Sequence, residues 1–245
     1  SLIPLCVFLN SLQSGFVYDD IGVIEDNYFI RSLQNIPKIF SRNYFHLANE
    51  LSYRPVVTLT YFLDYTLWRL NPFGYHLTNV VLHTINCFLL YAVVLRLVRM
   101  RSVALFSAIL FSIHPCVTEA VNAISYREDI LATLFIFLSC LCLILSGKKV
   151  YYALSLLSYL LSLFSKETAI VMPLFILLYW AFFMRKYPSS LLAVQKDAVN
   201  FPSTLRSNSD ESFLSAKTGW VRYFTNYYLG YILISFFYLI IRFIV

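Results

Sequence analysis

HLTNVVLHTINCFLLYAVVLRLVRMR, residues 76–101, decides the fold class. About 20 consecutive apolar residues suffice for a helix to cross a bilayer, and 76–98 supplies such a run before closing on Arg96, Arg99 and Arg101. Basic residues packed against the end of an apolar run mark the cytoplasmic side of a membrane span. His76, Asn79 and His83 recur at helical spacing and share one face, and a polar stripe in a spanning helix faces protein or a cavity. Hydrogen bonding between helices accounts for His83, while His76, nearer the outer boundary, is a candidate ligand contact.

Working outward, the rest of the chain reads the same way. Of 245 residues, 59% are hydrophobic and 13% are charged, against roughly 25% charged in an average soluble domain. This is the composition of an integral membrane protein. Apolar segments at about 1–17, 76–98, 102–114, 130–146, 150–165, 168–184 and 223–245 give seven expected spans. The expectation is an all-α polytopic bundle: a core over 1–184, a Ser-rich cytoplasmic loop over 185–222, and a seventh span over 223–245. The chain starts with Ser1 in one apolar stretch and stops in another, so we read it as part of a longer protein. The net charge of +6 sits beside the spans, where topology explains it better than a nucleic-acid partner. Cys6, Cys87, Cys116, Cys140 and Cys142 form no CxxC or Cys/His spacing, which argues against a zinc site or a disulfide framework.

With every segment crossing once, the basic connections share one side. Ten of the thirteen acids fall in the opposite connections: Asp19, Asp20, Glu25, Asp26, Glu50, Asp64, Glu119, Glu128, Asp129 and Glu167. Acidic residues do little to set topology, so a carboxylate-rich outer face points to a reaction or ion site. The first outer connection, 18–75, is long. Its stretches 31–45 and 55–70 have the apolar pattern of amphipathic helices lying in the interface.

Candidate chemistry gathers in these connections. In GFVYDD, 15–20, Asp19 and Asp20 meet the end of the first span. A carboxylate at an apolar boundary suits a general base, or with Glu119 a divalent-cation site; of the pair, Asp20 is the preferred base. In SYRPVV, 52–57, proline keeps Arg54 out of helix, and a fixed guanidinium there can clamp phosphate or pair with a loop acid. HPCVTEAVNAISYREDIL, 114–131, contributes His114, Glu119, Arg127, Glu128 and Asp129, with Glu119 and Arg127 expected to point toward whatever the acid pair faces, and Arg127, like Arg54 and Lys166, suited to a substrate phosphate. SKET, 165–168, contributes Lys166 and Glu167. Arg242, inside the last apolar run, is a functional candidate by position, with snorkelling to an interface as its alternative.

In order along the chain, GFVYDD, SYRPVVTLTYFLDY, LNPFGYHLTNVVLH, IHPCVTEAV with YREDIL, and LFSKETAIVMPL resemble the N-terminal membrane region of the TMTC family, the transmembrane O-mannosyltransferases that target cadherins, and of their bacterial TPR-containing relatives. The resemblance covers about residues 15–180. It implies a GT-C fold followed by TPR repeats, and an inverting glycosyltransferase that takes mannose from a polyprenyl-phosphate donor. It also implies a protein Ser/Thr acceptor, and an active face toward the endoplasmic reticulum lumen or, in a bacterium, the periplasm. The family's acid motif maps onto Asp19 and Asp20, its HPxxTEAV motif onto His114, Pro115 and Glu119, and its SKE motif onto Lys166 and Glu167. Where the family has a GRAD-like run, this chain has Tyr126 to Asp129, which leaves Glu128 and Asp129 as alternatives for one role. No cofactor is required on this reading, although a divalent metal fits the acids. Membrane lipid, the lipid-linked sugar and the acceptor protein are the expected partners, and this piece alone is expected to be inactive. A transporter or lipid-handling protein with an outer carboxylate site is the alternative.

Overall fold

Helix formation is clearest where the sequence punctuates it. Asn71 caps a helix by accepting the Phe73 N–H at 3.2 Å, Pro72 occupies its first turn, and the helix runs to Val98, where Arg99 turns left-handed at φ 60°. Proline at this position loses no helical hydrogen bond. At 27 residues and 1.5 Å per residue, this helix is about 40 Å long, enough to cross a hydrocarbon core of about 30 Å.

The structure is a computed structural model that describes residues 3–41, 43–48, 52–145, 148–179 and 228–244. Among the described residues all regular structure is helical. In chain order the α-helices are α1 (Ile3–Val7), α2 (Tyr44–Ala48), α3 (Pro55–Trp68), α4 (Pro72–Val98), α5 (Arg101–Ile113), α6 (Thr118–Asn122), α7 (Arg127–Ile144), α8 (Lys149–Leu163), α9 (Met172–Tyr179) and α10 (Tyr228–Ile244). The expected loop over 185–222 lies outside the described residues.

Several expectations change. The segment 1–17 is not one helix: α1 stops at Val7 and a 3-10 turn follows over Leu9–Gln13. Here the Ser11 hydroxyl donates to the Phe8 carbonyl at 2.7 Å, the local side-chain bonding by which serine competes with a helical ladder. The stretch 31–45 is likewise not one amphipathic helix. It is a 3-10 run over Leu33–Phe40 containing Pro37, which has no N–H to give. Segment 55–70 does form a helix, α3. Among the described residues only α4 is long and apolar enough to cross a membrane by itself. α5 with Pro115–Asn122 makes a second if that pair, bent by 53° at Pro115, counts as one crossing. The described residues thus supply one or two such helices where the sequence reading expects seven spans.

α4 packs against α5 and α7, and α7 against α8. Small and hydroxylated residues make the tightest seams, as in membrane helix pairs generally. The Ser139 hydroxyl meets the Ser155 carbonyl at 2.7 Å, Ser155 meets the Tyr231 hydroxyl at 2.5 Å, and Tyr159 meets Ser235 at 2.7 Å, tying α7, α8 and α10 together. A Cβ on Gly230 would run into the Tyr152 hydroxyl. The first long connection is itself folded. Ile24, Phe29, Ile30, Ile39 and Tyr44 bury against Tyr61, Phe62 and Tyr75. Asn27 stitches it by donating to the Ala48 carbonyl and accepting the Phe29 N–H, both at 3.0 Å.

Candidate functional site

The turn over 123–126, which leads into α7, organises one end of the helices. Carbonyl groups in and just before it are claimed by side chains from elsewhere: Asn79 of α4 donates to Ala123 and to Val121 at the end of α6, and Tyr61 of α3 donates to Ile124 at 3.1 Å. Its Ser125 N–H donates to Asp20 Oδ1 at 2.7 Å. The two outer connections are joined there across 105 residues of sequence.

Asp19 and Asp20 part company at this point. Asp20 is fully buried, and its second oxygen accepts the Val17 N–H at 3.3 Å. Asp19 is exposed. Tyr18 before them has φ 49° and a side chain open to solvent. His76 lies near the Asp20 charge and the Gly15 backbone, and is fully buried.

Arg127, the first residue of α7, is completely buried. It forms an ion pair with Asp64 of α3 at 2.6 Å and donates to Asn79 Oδ1 at 2.7 Å, Thr60 Oγ1 at 3.1 Å and the Tyr75 carbonyl at 3.0 Å. Its guanidinium also covers the Tyr61 ring. The sequence reading aims Arg127 at a substrate phosphate; the structure instead spends its donors on α3 and α4. Of its partners, Thr60 and Tyr75 escape sequence reasoning, while Asn79 belongs to the polar stripe of α4 that was expected to face protein or a cavity. Asp64 also carries a signal, being an acid in an otherwise apolar helix.

Glu128 and Asp129 carry the second network. Glu128 pairs with Arg54 and, at 3.1 Å, with Lys166. Lys166 also donates to both Asp129 oxygens at 2.7 Å. Glu167 lies 3.8 Å from Arg54 Nε and 3.6 Å from Arg242. So α10 brings Arg242 to the same end as the 165–168 connection, and three cations meet three acids. The alternatives Glu128 and Asp129 are both engaged. Burial pushes Glu128 above the usual carboxylate range, against the pull of Arg54 and Lys166. Burial would lower Lys166, yet its bonds to Asp129 and Glu128 leave it raised. Burial would likewise raise Glu167, but its own backbone N–H, Arg54, Arg242 and Lys166 together hold it low.

His114 and Glu119 stand apart. His114 is exposed and caps the turn at 115–117, its Nδ1 accepting the Cys116 N–H at 3.2 Å. Glu119 is exposed and lines, with His83, Asn86, Tyr126 and Asp129, a groove of about 330 Å³. No hydrogen bond or ion pair joins it to Asp20 among the described residues. No three His, Cys, Asp or Glu side chains converge there as a metal-binding set either. The grouping of Asp19, Asp20 and Glu119 around a cation is therefore not assembled. Arg54, Asp129, Lys166, Glu167 and Arg242 do meet at the acid-rich end through Glu128, whereas His76 lies near Asp20 and Arg127.

The chain is similar to curated protein O-mannosyl-transferases. One from Caenorhabditis elegans is 32% identical over 179 residues, 70% of this chain and 25% of the relative. TMTC3 of Mus musculus is 33% identical over 140 residues, 55% of this chain and 15% of the relative. TMTC2 of Homo sapiens is 34% identical over 149 residues, 59% of this chain and 18% of the relative. The chain thus spans a quarter or less of the length of these relatives. No protein-family model matches it, and no solved structure does.

Proposed function

For a chain whose curated homologues are the TMTC-family protein O-mannosyl-transferases, we propose a part in the same chemistry: it supplies the acid-base and donor-binding face of a membrane mannosyltransferase. A Ser or Thr hydroxyl of an acceptor protein attacks the anomeric carbon of mannose carried on a polyprenyl phosphate. The C1–O bond to the phosphate breaks with inversion, the hydroxyl proton passes to a carboxylate of the Asp19–Asp20 pair, and polyprenyl phosphate departs. The face lies on the luminal side of the endoplasmic reticulum, or the periplasmic side in a bacterium. One observation carries this reading: Asp20 of the acid pair is bonded to Ser125, three residues before Glu128, and the cations Arg54, Lys166 and Arg242 are paired with Glu128 and Glu167.

A leaving phosphate needs positive charge more than it needs a proton. Arg54, Lys166 and Arg242 provide it, and each already has a carboxylate partner. The donor phosphate therefore exchanges with a carboxylate rather than filling a bare cationic hole. No step is assigned to a metal.

The test uses the full-length protein in lipid nanodiscs with dolichyl-phosphate mannose and Ser/Thr acceptor peptides. The wild type transfers mannose. Asp19→Asn with Asp20→Asn lowers kcat by roughly 10²–10⁴, the usual worth of a general base. Full activity in that double variant removes the acid pair from the chemistry.

A further inference from the structure

Resting on that reading, we propose that the two acids divide the work: Asp19 is the catalytic carboxylate, and Asp20 is a positioning residue that clamps the first outer connection to the entrance of α7. A base must touch the hydroxyl it deprotonates. Asp20 is 0% exposed and has both oxygens occupied, one by Ser125 N–H at 2.7 Å and one by Val17 N–H at 3.3 Å. An acceptor hydroxyl cannot reach it without breaking those bonds. Hydrogen bonds from backbone N–H to a carboxylate are charge-assisted and strong, which suits a clamp.

Asp19 is open to solvent, and its carboxylate has no hydrogen bond or ion pair with any described residue. It is held between the clamp on its C-terminal side and an unusual turn on its N-terminal side. The Asp20 N–H closes that turn on the Val17 carbonyl at 3.0 Å, with Tyr18 at φ 49°. A bulky residue in the left-handed region persists only where its surroundings enforce it. Here Asp20 provides the enforcement on both sides, through its side chain and its own N–H. The clamp also ties the turn that carries Asp19 to the segment leading into Glu128, three residues after Ser125, which holds Arg54 and Lys166.

The experiment compares Asp19→Asn, Asp20→Asn, Asp20→Ala and the Asn double variant in the full-length protein, with dolichyl-phosphate mannose and a Ser/Thr peptide. Asparagine at 20 keeps an acceptor oxygen for the Ser125 N–H but has no basicity. Asp19→Asn is expected to lower kcat by about 10²–10⁴ with KM little changed, and to erase the acid limb of the kcat/KM pH profile. Asp20→Asn is expected to keep kcat within about tenfold and to retain that limb. Asp20→Ala is expected to lose more than Asp20→Asn, with KM raised. Asp20→Asn falling as far as Asp19→Asn, or Asp19→Asn remaining active, overturns the division while the mannosyltransferase reading stands. Full activity in the double variant overturns both.

Discussion

Arg127 heads the largest fully buried side chains of the protein, and its environment shows what a single residue contributes. Burying a guanidinium is tolerable only when its charge and its donors are matched. Asp64, Asn79, Thr60 and the Tyr75 carbonyl match them. Removing one partner of such a pair typically costs about 3–5 kcal/mol, because the other is left charged and buried. Arg127→Met is therefore expected to lower unfolding stability in detergent by that order, and Asp64→Asn in the same chain to recover part of it. A thermal-shift series over the two single variants and the double would show this coupling; purely additive effects would deny it. Sequence reasoning identified Arg127 as a residue that matters but gave it the wrong neighbours. Whether an arginine at a helix start faces a ligand or a neighbouring helix depends on residues 48–67 positions away. Nothing in YRED contains that information. The same limit applied to the acid pair, where adjacent identical residues have opposite exposure.

At the scale of elements, the connections are where the charge networks bind helices together. Glu167, at the turn between α8 and α9, reaches Arg54 before α3 and Arg242 on α10. Its carboxyl is held below its ordinary 4.5, so its contribution is present above pH 4.5 and is lost as pH falls through the lower folded value. Lys166 is held above its ordinary 10.5, so its contribution is present below pH 10.5 and is lost as pH rises through the higher folded value. Glu128, raised by burial, works the other way on the acid side. The melting temperature of the detergent-solubilised protein is expected to drop below about pH 4.5, and Glu167→Gln to flatten that acid limb. An unchanged limb in this variant would place the acid sensitivity elsewhere. The C-terminal boundary of α4 at Val98 was legible from the apolar run and the arginines that follow it, whereas its start lies at Pro72, capped by Asn71, rather than at about 76. Boundaries were not legible over 1–17 or 31–45, where Ser11 and Pro37 turn an apolar pattern into 3-10 segments. Gly74 belongs with them: its hydrogen makes room for the Trp68 ring at the corner between α3 and α4, where a Cβ would collide.

For the whole molecule, sidedness is the testable property. The 114–122 connection carries Cys116, exposed on the acid-rich end, while Arg96, Arg99 and Arg101 lie at the other end of α4 and α5. In a variant keeping Cys116 as its only cysteine, a membrane-impermeant maleimide is expected to label from the luminal or periplasmic side and not from the cytoplasm. Cytoplasmic labelling would invert the orientation. The outward faces of α5, α9 and α10 expose Phe106, Leu110, Phe175, Leu233, Phe236 and Phe243, a surface that calls for lipid or further protein around it. Sequence alone determined the helical class, the one described helix long and apolar enough by itself to cross a membrane, and the ordered motifs that give the family likeness. These depend on composition and local periodicity, which any stretch of chain carries within itself. Tertiary structure decided which of two adjacent aspartates is buried, which arginine is enclosed and which cations carry carboxylate partners. Each of those outcomes is a balance between burial and pairing, and the partners that settle it come from distant segments meeting at the start of α7.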